Sequence, residues 1–201
     1  MRILIFDTET GGLDPKVHSV FSVGALVGDL ETGEIISQFE ALHKLPSADD
    51  YKFTAKAIEI HGITPDQAFT EGISTAEIRD KFMDLWHDHG AQIMGGHNWQ
   101  YDVRMMAYGI YNIEPQQFEA NFTYRGVDSM PLIRLFAGND SIKSGASLSQ
   151  TIKALNIDMS DLGKNKFHAA LFDSICCFRI LHKFRKVLTQ QDVIDRLTAK
   201  G

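Results

Sequence analysis

The sequence predicts an α/β chain with a mixed central sheet flanked by helices, and three observations carry that expectation. Met1 to Phe6 is a short apolar run rich in Ile and Leu, ended by the Gly11-Gly12 turn, the pattern of a buried strand. Ser19 to Gly28 and Glu34 to Leu42 are further strand-like runs joined through Leu30-Glu31-Thr32-Gly33, a Gly-containing hairpin connection, so the sheet begins antiparallel. Beyond them, helix-capping signals and helical apolar spacing alternate with short strand-like runs.

The later elements follow in order. Thr64-Pro65-Asp66-Gln67 supplies an N-cap, a Pro at the first helical position and a Gln at the third, so a short helix starts there. Ser74-Thr75-Ala76-Glu77 is a capping box, followed by Ile78, Phe82, Leu85 and Trp86 on one helical face and closed by Gly90. Ala91 to Met94 reads as a buried strand broken by Gly95-Gly96, and Trp99 to Tyr111 as a helix with Tyr101, Met105, Tyr108 and Ile110 at helical spacing. Val127-Asp128-Ser129 marks a strand end and a helix running to Phe136, with Asp128 as its N-cap or as support for a nearby site. A polar loop over Gly138 to Gly145, a helix from Ser147 to Leu155 and a long helix from Phe167 to Lys186 complete the series.

Length and composition allow one sizeable core. At 201 residues and 44% hydrophobic, residues 1–188 are expected to form one domain, with 189–201 a short C-terminal extension that has a helical look from Thr189 to Leu197. No apolar run is long enough to cross a membrane, and Met1-Arg2 leads straight into a strand, so the expected location is cytoplasmic. The adjacent Cys176 and Cys177 on the last long helix suit packed thiols in a reducing compartment rather than a disulfide.

Chemistry is concentrated in three acidic segments. Asp7 and Glu9 stand two residues apart at the end of the first strand, so both carboxylates project from one face. In apolar surroundings they repel one another, and a divalent cation removes the conflict; oxygen-only ligands favour Mg2+ or Mn2+ over zinc. Alone, a D-x-E is more often an exposed strand end. Asp102 falls in the first turns of the helix after the Gly95-Gly96 break, where a carboxylate also complements the helix dipole. Asp173 lies inside the last long helix and His168 at its start, five residues apart and therefore not on one helical face. That spacing suits a His on the incoming loop that accepts a proton near a metal held by Asp173, although such a His alone is more often a cap or surface residue.

Together these residues resemble a known family. The pieces Asp7-Thr8-Glu9-Thr10-Gly11-Gly12-Leu13, Gly96-His97-Asn98-Trp99-Gln100-Tyr101-Asp102 and His168-Ala169-Ala170-Leu171-Phe172-Asp173 look like the DEDD exonuclease superfamily, in its histidine-bearing DEDDh subclass, over roughly residues 1 to 185. Ile60-His61-Gly62-Ile63-Thr64 is similar to a segment of the polymerase III epsilon-type proofreading and exodeoxyribonuclease X-type enzymes. The resemblance implies a ribonuclease H-like fold and a 3′-to-5′ exonuclease that uses two Mg2+ or Mn2+ ions about 4 Å apart to release nucleoside 5′-monophosphates. By position, Asp7 would bridge both metals, Glu9 and Asp173 would complete the site of the attacking water, Asp102 would support the second metal, and His168 would be the general base. Many relatives carry Thr at the place of Gly11 and Ala at the place of Ser174, which puts sugar and base preference in question without touching a ligand.

Substrate contacts are expected from Thr10, Gly11 and Leu13 at the terminal nucleotide, from Asn98 and Tyr101 at the sugar or next base, and from Lys166 at a phosphate. Leu13 could equally anchor its loop, Tyr101 could pack in the core, and Lys166 could be a solvated lysine. The formal charge of −6 offers no broad attraction for phosphate, which implies a small footprint on a 3′ end. The expected partner is therefore a nucleic-acid 3′ end, DNA favoured over RNA and single-stranded or frayed. An exoribonuclease of the same superfamily and a noncatalytic accessory module are the rivals. A polymerase or repair partner and a homodimer are both admitted by the sequence.

Overall fold

The computed structural model describes residues 1–123, 125–136, 147–162 and 168–190. Its strands are β1 (Arg2–Thr10), β2 (Val20–Asp29), β3 (Ile35–Lys44), β4 (Ile73–Ser74), β5 (Ile93–Gly96) and β6 (Gly126–Asp128), and they form a six-stranded sheet in the order β4-β3-β2-β1-β5-β6. β1, β2 and β3 are antiparallel neighbours, while β5 runs parallel to β1 and to β6, so the sheet is mixed as expected. The hairpin between β2 and β3 closes with Gly33 at φ 80°, its N–H donating to Asp29 O at 2.8 Å.

Alternation along β1 divides the core. Leu4 and Phe6 pack on one face with α3 (Thr75–Asp88) and α4 (Trp99–Met105), through Ile78, Phe82 and Val103. Ile3 and Ile5 pack on the other with the last helix, α8 (Ala170–Leu188), through Ile175 and Phe178. The remaining helices are α1 (Ala55–His61), α2 (Pro65–Glu71), α5 (Pro115–Asn121), α6 (Ser129–Phe136) and α7 (Leu148–Ala154). Thr64 caps α2 by accepting from Gln67 N, and the expected capping box of Ser74 and Glu77 starts α3.

The structure departs from the sequence expectations at several elements. β5 is not broken at Gly95-Gly96 but runs through both, because a Cβ on Gly95 would meet Val127 O of the neighbouring strand at 2.7 Å, and glycine lets the strands close up. The helix after it is α-helical only to Met105 and then widens into a π-helical stretch over Met106–Tyr111, ended by Asn112 in the left-handed region. α1 and α5 lie where no helix was expected. The Gly138 to Gly145 loop falls within 137–146, outside the described residues, as do 191–201 of the expected extension; Thr189 caps α8.

Candidate active site

The site is built where the alternation of β1 runs out of apolar residues. Asp7 and Glu9 continue the face of Ile3 and Ile5, toward α8, while Thr8 continues the face of Leu4 and Phe6, toward α4. Each face then receives a carboxylate from its own helix.

On the α8 side, the close approach is made possible by a glycine. Gly24 pairs with Asp7, and a Cβ on it would lie 2.0 Å from Leu171 N, so the first turn of α8 can rest on the sheet only over a bare backbone. Ser174, on the next turn, donates its hydroxyl to Gly24 O at 3.0 Å, which gives this departure from the family pattern a tethering role. Asp173 is thereby brought to Asp7 and Glu9, and one carboxylate oxygen from each lies within 4.8 Å of the others. His168, at φ 68°, donates its backbone N–H to Asp173 Oδ2 at 3.1 Å.

On the α4 side, Asp102 is almost fully buried, at 3% exposure, and its Oδ1 accepts both the Thr8 N–H at 2.9 Å and the Thr8 hydroxyl at 2.7 Å. It stands outside the trio of Asp7, Glu9 and Asp173, yet its charge is the largest that Asp7 feels. The start of α4 is set by Asp128, whose Oδ1 accepts the Asn98 N–H and the Met130 N–H, both at 2.9 Å. The same oxygen therefore caps α6, the first role weighed for Asp128, and pins Asn98, held at φ 63°, at the start of α4.

A cleft of about 670 Å³ opens over these groups, lined on one side by Asp7, Glu9, Tyr101, His168 and Asp173 and on the other by Thr54, Lys56, Ala57, Ile60 and His61 of α1. Tyr101 is half-buried, and its hydroxyl contacts Thr10 Oγ1 at 2.6 Å and Gly12 O at 2.8 Å, so it braces the loop bearing Leu13. Leu13 projects from that loop with 87% exposure. Gly11 faces away from open space: a Cβ there would lie 2.1 Å from Lys52 O, and its N–H and C=O are bonded to Ser19 O and Thr54 N. The room that Gly11 leaves is taken by the chain's own backbone. Lys166 lies outside the described residues.

The α1 wall is the part of the site that sequence patterning missed. Its signals were present, since Thr54 accepts from Ala57 N and Gly62 closes the helix at φ 76°, but seven residues offer too little periodicity to stand out. His61 is drawn by this helix into the cleft, where its Nδ1 accepts the Ile63 N–H at 3.0 Å and burial lowers its pKa.

Electrostatics show four carboxylates in conflict. Burial, then the charges of Asp102, Glu9 and Asp173, holds the Asp7 carboxyl well above its ordinary range. Burial also raises Glu9, followed by Asp173 and Asp102. Burial raises Asp102 against the pull of the two Thr8 hydrogen bonds, and lifts Asp173 to about 6 against the His168 N–H. Among the described residues, Asp173 Oδ1 is buried and without a hydrogen-bond partner. An orphaned carboxylate oxygen facing two further carboxylates fits a hard divalent cation, which would satisfy the oxygen and cancel the repulsion together.

A family model described as Exonuclease, of the RNase T type, matches residues 4–181. The chain belongs to this exonuclease family. Members normally use divalent metals, in keeping with the acidic trio. Among relatives of the exonuclease chain, a DNA polymerase III of PolC type from Thermotoga maritima is 25% identical over 185 residues, which is 92% of this chain and 12% of the relative. Its counterpart from Thermotoga petrophila is 24% identical over the same share. The zinc-bound E. coli exonuclease I complex with single-stranded DNA superposes with a TM-score of 0.73 at 22% identity, covering 98% of this chain and 43% of that one. Exonuclease I from Methylocaldum szegediense gives 0.68 at 22% identity, with 98% and 43% covered. The chain thus spans about an eighth of the length of the polymerase relatives and under half of the exonuclease I chains, and the shared fold is the ribonuclease H-like one.

Proposed function

We propose that this exonuclease is a metal-dependent 3′-to-5′ exodeoxyribonuclease of the histidine-bearing DEDDh subclass, with residues 1–188 as its catalytic domain. It releases nucleoside 5′-monophosphates from single-stranded or frayed DNA ends. The observation that carries the reading is the trio of Asp7, Glu9 and Asp173 with Asp173 Oδ1 left unpartnered, at the floor of an open cleft.

Two Mg2+ or Mn2+ ions bound there would neutralise charge on the attacking and leaving oxygens of the scissile phosphodiester. Asp7 belongs to the trio with Glu9 and Asp173 and also feels the charge of Asp102, which supports its reading as a shared ligand. Glu9 and Asp173 hold the side where water attacks. Asp102, fixed by Thr8, supports the leaving side. His168 takes the proton from the attacking water, and its backbone bond to Asp173 keeps base and ligand in one unit. Leu13, exposed on a loop braced by Tyr101 and Thr10, meets the terminal base, while Asn98 and Lys166 complete the expected contacts.

DNA is favoured because the similar E. coli exonuclease I forms a complex with single-stranded DNA and the sequence relatives are DNA polymerases. The same relatives support work beside a polymerase or repair assembly. A cytoplasmic setting suits the two buried free thiols, Cys176 and Cys177. The test is a time course on matched 5′-labelled single-stranded DNA and RNA with Mg2+ or Mn2+, with EDTA and Asp7→Ala controls. A ladder that shortens from the 3′ end faster on DNA supports the reading; faster shortening of RNA makes the chain an exoribonuclease, and no cleavage under any condition leaves an accessory module.

A further inference from the structure

The helix that carries Asp173 begins without a cap of its own. Ala169 stands at the N-cap position and makes no side-chain bond, although the first N–H groups of any helix need acceptors. Glu40 of β3 fills the place from 131 residues away: the Leu171 N–H donates to its Oε1 at 3.2 Å. The sheet register explains the reach. Asp7 pairs with Gly24 and Gly24 with Glu40, and directly paired residues share a sheet face. The row therefore reads carboxylate, bare backbone, carboxylate across three strands. The first turn of α8 is seated on the glycine, where no Cβ would fit, with Asp7 on one side and Glu40 on the other. On the cleft side, the same turn is tied by Asp173 Oδ2 to the His168 N–H.

The geometry points to Glu40 as a positioning residue for the Asp173–His168 pair, its carboxylate holding the first turn of α8 on Gly24 so that Asp173 faces Asp7 and Glu9. The inference rests on the reading of that trio as the exonuclease centre. Glu40 is solvent-exposed and lines a second cavity, of about 490 Å³, that shares His61 and His168 with the cleft, so replacing it hollows no core.

Glu40→Ala and Glu40→Gln in the full chain separate the hydrogen bond from the charge. Three readouts are compared: hydrogen–deuterium exchange over 168–176 without metal, Mn2+ half-saturation, and kcat against KM on a DNA oligonucleotide. Glu40→Ala is expected to speed exchange in that segment about fivefold, the size of a lost cap. It should also raise the Mn2+ half-saturation and lower kcat several-fold, with KM unchanged. Glu40→Gln keeps an accepting oxygen and should stay close to wild type in exchange and kcat, while the negative charge it removes near Glu9 bears on Mn2+ half-saturation alone. Equal changes of exchange and kcat in both variants would assign the effect to charge and overturn the inference, as would unchanged exchange, or a lower Tm with unchanged kcat. A wild-type chain that neither binds Mn2+ nor cleaves would sink the exonuclease reading, whereas the exchange comparison would still decide whether Glu40 holds the helix.

Discussion

Asp102 and Asp173 reach β1 from opposite faces of the sheet and arrive in opposite states. Asp102 comes with Oδ1 already held by two Thr8 donors, whereas Asp173 comes with Oδ2 engaged by a backbone N–H and Oδ1 buried without a partner. The α4 side is pre-organised by the protein itself. Among the described residues the α8 side leaves one buried oxygen unsatisfied. A carboxylate that has its hydrogen bonds can be placed without help, while a buried one that lacks them marks where a cation belongs.

The largest effect is expected at the strand between the two sides. Asp7→Ala should nearly abolish turnover, because it removes the group that both halves share, and steady-state cleavage of a 5′-labelled oligonucleotide checks it. Substantial residual cleavage would mean that the two sides act without a common ligand. His168→Ala should lower kcat by about 100- to 10,000-fold, the usual contribution of a general base. Mn2+ affinity should stay near wild type, since His168 touches Asp173 through its backbone N–H, which alanine retains. A matching loss of Mn2+ affinity would make the imidazole a ligand instead.

The α4 side can be sharpened at Thr8. Thr8→Val removes the hydroxyl bond to Asp102 and leaves the N–H bond, so kcat should fall about tenfold, the scale of one hydrogen bond to a charged group. Thr8→Ser should restore it, and equal activity in all three chains would show that Asp102 needs no such hold.

A smaller effect is expected on stability without metal. Carboxyls raised in the folded state bind more protons than in the unfolded one, so their stability is fully present below the ordinary carboxylate range near 4 and is lost as pH rises through their folded values, about 6 for Asp173, about 7 for Asp102 and about 8 for Glu9. Metal-free Tm should therefore fall between pH 5 and pH 8, by about 2–4 °C for each kcal/mol lost in a domain of this size. Mg2+ should restore most of it at the alkaline end. Asp173→Asn should raise the metal-free Tm at pH 8 even as it removes activity, and an unchanged or lower Tm would deny that the site is in conflict.

Much of this contrast was legible in the sequence, and the boundary is physical. Period-two alternation placed Asp7 and Glu9 on one face, and the long apolar helix with His168 ahead of it placed Asp173 nearby. Caps at Thr64 and Ser74 marked helices that form where expected, because each uses bonds within four residues. What escaped is either too short to show a period, as α1 is, or depends on contacts distant in sequence. Thr8 meets Asp102 across 94 positions, Tyr101 meets Gly12 across 89, and Glu40 meets Leu171 across 131. Gly11 shows the same limit: its type was visible, but the Lys52 backbone that requires it was not.

The most direct measurement is Mn2+ binding by electron paramagnetic resonance to the metal-free chain, compared with Asp173→Asn and Asp102→Asn. The account predicts that wild type binds two ions, that Asp173→Asn loses the tighter one, and that Asp102→Asn retains it while losing the second. Wild type that leaves Mn2+ free, or Asp173→Asn that binds it as tightly as wild type, would contradict the assignment of the unpartnered oxygen to a metal.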